Sequence, residues 1–353
     1  MNTTAPRPNP APHGRLRPGD RVAVVSPSFA APSIGPEVHE QALRRIEADL
    51  GLIPVEYPAT RRHPTTAVER AADVNAAFAD PRIRAIFATL GGEDQITVVP
   101  HIDDAAVLTD PKPFFGYSDN TNLHNHLHGL GVASFYGGST QVHLGAGPHI
   151  DDIHLASLRA ALFDGGELEI TDPGEMEDFG VHWASRGALT QFGHRRPTRP
   201  WEWAGPSVAV EGPTWGGCLE VLADIGLAGR FPAVDDLRGA ILLVETAEGV
   251  PPVAWVRRWM RALGEAGILG AVAGVVAACP PTATLTDDAP SEADRRGYAD
   301  DQAHAIISTV AAYNPEAPVC VGVPFGHTRP QWVLPYGGRM RLNGVGRRVF
   351  AYY

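Results

Sequence analysis

The chain has 353 residues, of which 44% are hydrophobic and 20% charged, enough for two domains or one large one with a real buried core. Its net charge of −11 and pI of about 5.7 argue against a nucleic-acid backbone or an anionic membrane as the main partner. No apolar run approaches the roughly 20 residues of a membrane span, and the N-terminal residues lack the apolar core of a signal peptide, so a soluble cytoplasmic protein is expected.

In chain order, residues 1 to about 16 (with APRPNPAPHGR) read as an extended arm. Arg21 to Val25 is a buried strand ending at Ser26-Pro27-Ser28. Pro36 to Leu50 carries helical periodicity and stops at Gly51. Leu52 to Tyr57 is a second strand, Thr65 to Ala79 a helix, and Ala85 to Leu90 a third strand ending in Gly91-Gly92. After a short helix from Asp103 to Thr109, an apolar run from Pro113 to Phe115 leads through Gly116-Tyr117 to Ser118. A helix begins near Asp119-Asn120. This alternation implies a mostly parallel, doubly wound sheet, with Ser26, Ser28, Gly91, Gly92 and Ser118 converging at the C-terminal ends of its strands.

Beyond Gly137-Gly138 the pattern changes. Leu155 to Phe163 is a helix, and Asp164 to about Pro206 is polar and irregular, with Trp183, Trp201 and Trp203 embedded in it. Gly216 to Ile225 reads as a turn into a helix, Arg238 to Val244 as a buried strand ending at Glu245, and Val253 to Ala266 as a helix. A strand from Gly270 to Ala278, a helix from Tyr298 to Tyr313 and a strand from Pro318 to Val323 follow. His327 comes just past that last strand, and the tail from Trp332 to Tyr353 alternates like a β-ribbon.

Ser118 is read two ways: as a helix cap, or as a nucleophile perched on a strand-to-helix turn, although G-Y-S-D is not the usual G-x-S-x-G. Glu245 and His327 repeat its placement at strand ends. Together the three supply a hydroxyl, a base to take its proton and a carboxylate to hold the base. Each also has a plainer reading, Glu245 as an ion pair with Arg257 or Arg258 and His327 as a turn histidine. His124, His126 and His128 resemble metal ligands, but only His124 and His128 share a helix face and no H-E-x-x-H is present, so no metal site is assigned. Cys218, Cys279 and Cys320 are an odd, widely spaced set that fits a reducing compartment better than a disulfide framework. Asp151-Asp152 and Asp287-Asp288 read as loop acids, and Arg195, Arg196 and Arg199 as solvated or near a nucleotide phosphate.

Several ordered segments are similar to the LD-carboxypeptidase family of serine peptidases, and within it to the microcin-immunity branch. They are Val22 to Ser28, Thr89-Leu90-Gly91-Gly92-Glu93-Asp94, Pro111 to Thr121 with the chain's only lysine, Lys112, and Trp215-Gly216-Gly217-Cys218-Leu219. Leu243-Val244-Glu245-Thr246, Pro324-Phe325-Gly326-His327-Thr328 and Leu334-Pro335-Tyr336-Gly337 complete the set. Cys218 stands where the family usually has asparagine. The resemblance implies a Ser118–Glu245–His327 triad and an oxyanion hole from the N–H of Asp119 with one from Gly91 or Gly92. It further implies no metal or organic cofactor and a homodimer.

The implied architecture is α/β: a flavodoxin-like N-terminal domain with a parallel sheet and a smaller α/β C-terminal domain, with the active site between them. The expected boundaries are a flexible arm over 1–16, a nucleophile domain over 17–165, a linker or substrate loop over 166–206, and a domain carrying Glu245 and His327 over 207–353. One branch of the family cuts terminal D-alanine from murein tetrapeptides. The other cleaves peptidyl- or aminoacyl-nucleotides, and the chain length and tryptophan-bearing segment favour it. Trp183, Trp201, Trp203 and Trp215 are the expected substrate-binding aromatics, with stacking on an adenine set against simple pinning of the linker. Arg329 is read as holding a substrate carboxylate or as solvated. A non-catalytic ligand-binding module is the rival from another class.

Overall fold

The computed structural model describes residues 14–284 and 290–353. Asp287, Asp288 and most of the N-terminal arm lie outside the described residues. The first half alternates strand and helix as its periodicity requires: β1 (Arg21–Val25), α1 (Pro36–Ala48), β2 (Ile53–Glu56), α2 (Ala67–Ala79), β3 (Ile83–Ala88), α3 (Asp104–Thr109), β4 (Phe114–Gly116), α4 (Thr121–Gly129), β5 (Ser134–Tyr136) and α5 (Asp152–Arg159). These five strands run parallel in the spatial order 5-4-3-1-2, a flavodoxin-like order.

Successive residues on a strand face opposite ways, so each strand feeds two cores. Val22, Val24, Phe87 and Phe115 pack with Ala42 and Ile46 of α1 and Leu158 of α5. Their neighbours Ala23, Val25, Ile86 and Phe114 pack on the other face with Val74 and Phe78 of α2 and Leu123 and Leu127 of α4. Burial on both faces makes these strands continuous apolar runs, which is why they are legible from sequence.

The second half begins with four short strands: β6 (Glu167–Ile170), β7 (Glu175–Met176), β8 (Arg196–Pro197) and β9 (Glu202–Ala204). The expectation of an irregular stretch from Asp164 to Pro206 is corrected here. β6 and β9 are the two edges of an eight-stranded sheet, while β7 and β8 pair with each other. All four find partners far away or across a loop, so local alternation carried no signal.

Then come β10 (Ala209–Cys218), α6 (Leu219–Leu227), β11 (Ile241–Glu245), α7 (Val253–Glu265), α8 (Ile268–Ala271), β12 (Gly274–Ala278), α9 (Glu292–Tyr313), β13 (Val319–Val323), β14 (Leu334–Tyr336), β15 (Arg339–Asn343) and β16 (Arg348–Tyr352). The second sheet runs β6-β16-β15-β10-β11-β12-β13-β9, with β10 to β13 parallel and antiparallel strands on both flanks. α9 starts before Tyr298 because Ser291 caps it, accepting the N–H of Asp294 at 3.2 Å.

Two features join the halves. β14 leaves the second half and adds antiparallel to β5 at the edge of the first sheet. Gly216 and Gly217 were expected to form a turn, but β10 runs through them to Cys218 at φ of 137° and 122°. A Cβ on Gly216 would lie 1.9 Å from the Leu243 carbonyl oxygen, and one on Gly217 2.7 Å from the Thr121 side chain. Glycine there lets the strand press against the start of α4. Among the described residues no helix is long and apolar enough to cross a membrane.

Candidate active site

β4 ends at Gly116, Tyr117 is extended, and Ser118 turns the chain into the helical segment with φ of 63°. A side chain in the left-handed region costs on the order of 1–3 kcal/mol, so neighbours must hold it. The Ser118 N–H donates to Tyr136 Oη at 3.3 Å, and Asn120 Nδ2 donates to the carbonyls of Leu90 and Tyr117 at 3.0 Å each. The Asp119 carboxylate is buried and accepts from the Gln95 N–H and from Asn122 Nδ2, both at 2.9 Å, and from Ser28 Oγ. Burial pushes its pKa up, against these hydrogen bonds. Asp119 therefore ties the Ser28 and Gln95 loops to the serine turn.

Ser118 Oγ lies 2.9 Å from His327 Nε2, and His327 Nδ1 lies 2.5 Å from Glu245 Oε2. The other Glu245 oxygen accepts from Tyr136 Oη at 2.6 Å. Glu245 comes from the end of β11 and His327 from the turn after β13, so the second half supplies both while the first supplies Ser118 and Tyr136. Exposed Glu248 places Oε2 3.1 Å from His327 Nε2, the same atom that faces the serine. Burial alone would push the imidazole pKa down. The Glu245 and Glu248 carboxylates outweigh it and hold His327 well above its ordinary value, while the His327 charge holds Glu248 down at about 2.

Gly91 closes the other side. A Cβ there would fall 2.7 Å from Ser118 Cβ and 3.2 Å from the Asp119 nitrogen, in the space before that N–H. Asp119 is in the first helical turn, where N–H groups have no intrahelical acceptor. A Cβ on Gly92 would meet Ser28 Oγ at 2.1 Å. The serine, both glycines and His327 line a cleft of about 780 Å³, over which Trp183 is half-exposed.

Three other tryptophans are not at this cleft, which corrects their reading as substrate contacts. Trp215 is buried, with Nε1 donating to Asn125 Oδ1 at 3.1 Å. Trp203 lies in edge strand β9 opposite Cys320, and both Trp201 and Trp203 pack against the core of the second half, the pinning alternative. Arg329 lines the cleft, but it is neither solvated nor free for a substrate carboxylate. It is buried with Nε on Asp151 at 2.5 Å. Arg195, Arg196 and Arg199 bond Asp151, Asp178 and Asp300, and are thus neutralised in place. His124 bonds Ser134 Oγ at 2.7 Å and the Gly116 carbonyl at 2.8 Å, and His126 lies 2.7 Å from Asp104.

Sequence reasoning missed Tyr136, Glu248 and the Asp119 carboxylate. Tyr136 had the one available signal, a polar-tipped side chain ending a buried strand. Removing its hydroxyl leaves a buried Glu245 oxygen and the Ser118 N–H without a partner, which costs about 1–3 kcal/mol. Tyr136→Phe is expected to lower Tm and to reduce kcat/KM by about ten- to a hundredfold, with kcat carrying most of the loss. An unchanged kcat would remove Tyr136 from the machinery.

Fold and site together define a two-part α/β protein with a serine–histidine–glutamate arrangement in the cleft between its halves. Residues 22–137 match the LD-carboxypeptidase N-terminal domain and residues 211–342 its C-terminal domain. The chain belongs to the LD-carboxypeptidase family and is a serine peptidase of that family. It is 27% identical over 291 residues to the microcin C7 self-immunity protein MccF of Escherichia coli, covering 80% of this chain and 78% of that one. A solved structure of MccF with aspartyl sulfamoyl adenosine superposes with a TM-score of 0.81 at 22% identity, over 96% of this chain and 97% of that one. An MccF-like protein from Streptococcus pneumoniae with AMP gives 0.80 at 22% identity, over 95% and 99%.

Proposed function

We propose that Ser118, His327 and Glu245 act as a catalytic triad that hydrolyses an amide in peptidyl- or aminoacyl-nucleotide compounds, a self-immunity or detoxification activity. The observation that carries the chemistry is the unbroken hydrogen-bonded line from Ser118 Oγ through His327 to Glu245 in an open cleft. Ser118 Oγ attacks the acyl carbon as His327 Nε2 takes its proton. The tetrahedral oxyanion faces the Asp119 N–H and the Gly91–Gly92 backbone, where one such donor is worth about 10²–10³ in rate. The acyl–nitrogen bond then breaks, His327 returns the proton to the leaving nitrogen, and water releases the acyl group from Ser118 by the same relay.

The nucleotide reading is supported by the half-exposed indole of Trp183 at the cleft and by the ligands held in the similar structures of MccF and its relative. Stacking on a base is worth about 1–3 kcal/mol, so Trp183→Ala is expected to raise KM for an aminoacyl sulfamoyl adenosine by about 5- to 100-fold with little change in kcat. Incubation with an aminoacyl sulfamoyl adenosine and with a murein tetrapeptide separates the two branches, since cleavage of the tetrapeptide alone overturns the nucleotide reading. A non-catalytic binder would leave Ser118 unlabelled by a fluorophosphonate. The proposal takes the enzyme as cytoplasmic, as expected from its sequence, and as a homodimer, as the family resemblance implies; a monomeric mass in sedimentation would remove the dimer.

A further inference from the structure

We propose that Glu248 is a specificity-determining residue, whose carboxylate selects substrates carrying a cationic group, a free α-ammonium or a basic side chain, next to the scissile carbonyl. This rests on the reading that Ser118 attacks that carbonyl. The charges around the cleft are unevenly matched. Its two arginines are already engaged: Arg70 grips Asp94 through two bonds of 2.7 and 2.8 Å, and Arg329 is on Asp151. Asp178, also on the cleft wall, is matched by Arg196 and Arg295 at 2.7 Å each. The only lysine, Lys112, is buried away from the cleft on Asp110 and the Phe78 carbonyl. Among the described lining residues, no guanidinium or ammonium is left to meet an anionic acyl group. Two exposed carboxylates, Glu93 and Glu248, have no arginine or lysine partner.

Of these two, Glu248 is beside the reacting atoms. Its Oε2 is 3.1 Å from His327 Nε2, which is itself 2.9 Å from Ser118 Oγ. Its loop is fixed from below. The Ala247 N–H donates to Glu220 Oε1 at 3.0 Å, and the Cys218 thiol lies 3.2 Å from the other oxygen of that half-buried side chain. Val250, at φ of 48° with its N–H on the Ala247 carbonyl, closes the turn. The carboxylate is thus held three residues beyond Glu245, reaching over the imidazole. When His327 is protonated, Nε2–H can donate to Glu248. When it is neutral and accepts from Ser118, Glu248 has no cationic partner, and a substrate ammonium within reach of the same spot supplies one. An acidic acyl group would meet like charge with no unengaged guanidinium or ammonium among the described lining residues to offset it.

The test uses the Ser118→Ala protein, which holds ligand without cleaving it. Calorimetric titration is expected to show lysyl sulfamoyl adenosine bound at least about tenfold more tightly than the aspartyl compound, the lower end for a charge-assisted hydrogen bond. Adding E248Q should erase the difference, and E248K should reverse it. Comparing glycyl with N-acetylglycyl sulfamoyl adenosine distinguishes the sources. A loss on acetylation that disappears in E248Q assigns the contact to the α-ammonium. A lysyl preference with no acetylation effect assigns it to the side chain. Equal lysyl and aspartyl affinity with no acetylation effect overturns the assignment, as does a preference that survives E248Q. Protection of wild-type Ser118 from a fluorophosphonate by lysinamide, against the α-amide of aspartic acid, makes the comparison without a nucleoside. Lysinamide protection without binding of any sulfamoyl adenosine refutes the nucleotide reading and keeps the charge assignment. Nucleoside binding without charge preference does the reverse, and lysinamide protecting no better than the aspartyl amide when no nucleoside binds overturns both.

Discussion

Ser118→Ala is expected to reduce kcat by about 10⁴–10⁶, with substrate affinity nearly unchanged and fluorophosphonate labelling abolished. In the proposed mechanism the hydroxyl is the group that attacks, and no neighbouring side chain can replace it at the same turn. Asp119 has its carboxylate committed to Ser28, Gln95 and Asn122, and Tyr117 is buried with its phenol pKa pushed far up by burial. What remains in the variant is the oxyanion site and ground-state binding. If the proposed triad acts as a unit, His327→Ala should cost about as much, and the double variant little more than either alone. Additive losses would mean that the two residues act in separate steps.

Glu245→Gln is expected to reduce kcat/KM by about 10³–10⁴. The carboxylate accepts on both oxygens, from His327 Nδ1 and from Tyr136 Oη. An amide offers one acceptor and one donor, so it either opposes the tyrosine hydroxyl or turns the imidazole to the tautomer with its proton on Nε2. That nitrogen then cannot accept from Ser118. The pH profile should also move. The groups about the ring are Glu245 and Glu248, with Tyr117, Tyr136, His143 and Arg329 in the surrounding wall. Since the two carboxylates raise the His327 pKa, the neutral imidazole and hence activity are lost as pH falls through a value above about 6.5. Removing either carboxylate lowers that value, so the acid limb of kcat/KM should shift to lower pH in Glu245→Gln and in Glu248→Gln. A limb that stays in place in both would show that another group titrates.

The parts of the site that were legible in the sequence stand at the ends of strands buried on both faces. Phe114-Phe115 before Ser118 and Leu243-Val244 before Glu245 are unbroken apolar runs, so the first polar residue after each is conspicuous. Glu248 had no such marker. It is an exposed loop carboxylate, one of many in an acidic chain, and its meaning lies in which ring nitrogen it faces. The tryptophans failed for the opposite reason. An indole is apolar and aromatic whether it stacks on a ligand or fills a core, and only the path of the chain puts Trp183 on the cleft and Trp215 inside. The edge strands β6 and β9 were silent because their partners, β16 and β13, lie more than a hundred residues further on.

β14 gives the order of synthesis a role in when this enzyme becomes active. Its three residues lie near the end of the described chain, yet they complete the sheet of the first half by pairing Leu334, Pro335 and Tyr336 with Tyr136, Phe135 and Ser134. Until they leave the ribosome, β5 is an uncovered edge, and β5 bears the tyrosine that meets both Ser118 and Glu245. His327 emerges only a few residues ahead of them. Between the synthesis of Ser118 and that of His327, a nascent chain therefore carries the proposed nucleophile without its proposed base. In the proposed mechanism hydrolytic competence waits for the returning strand, which covers the edge bearing the tyrosine that bonds Glu245 and Ser118.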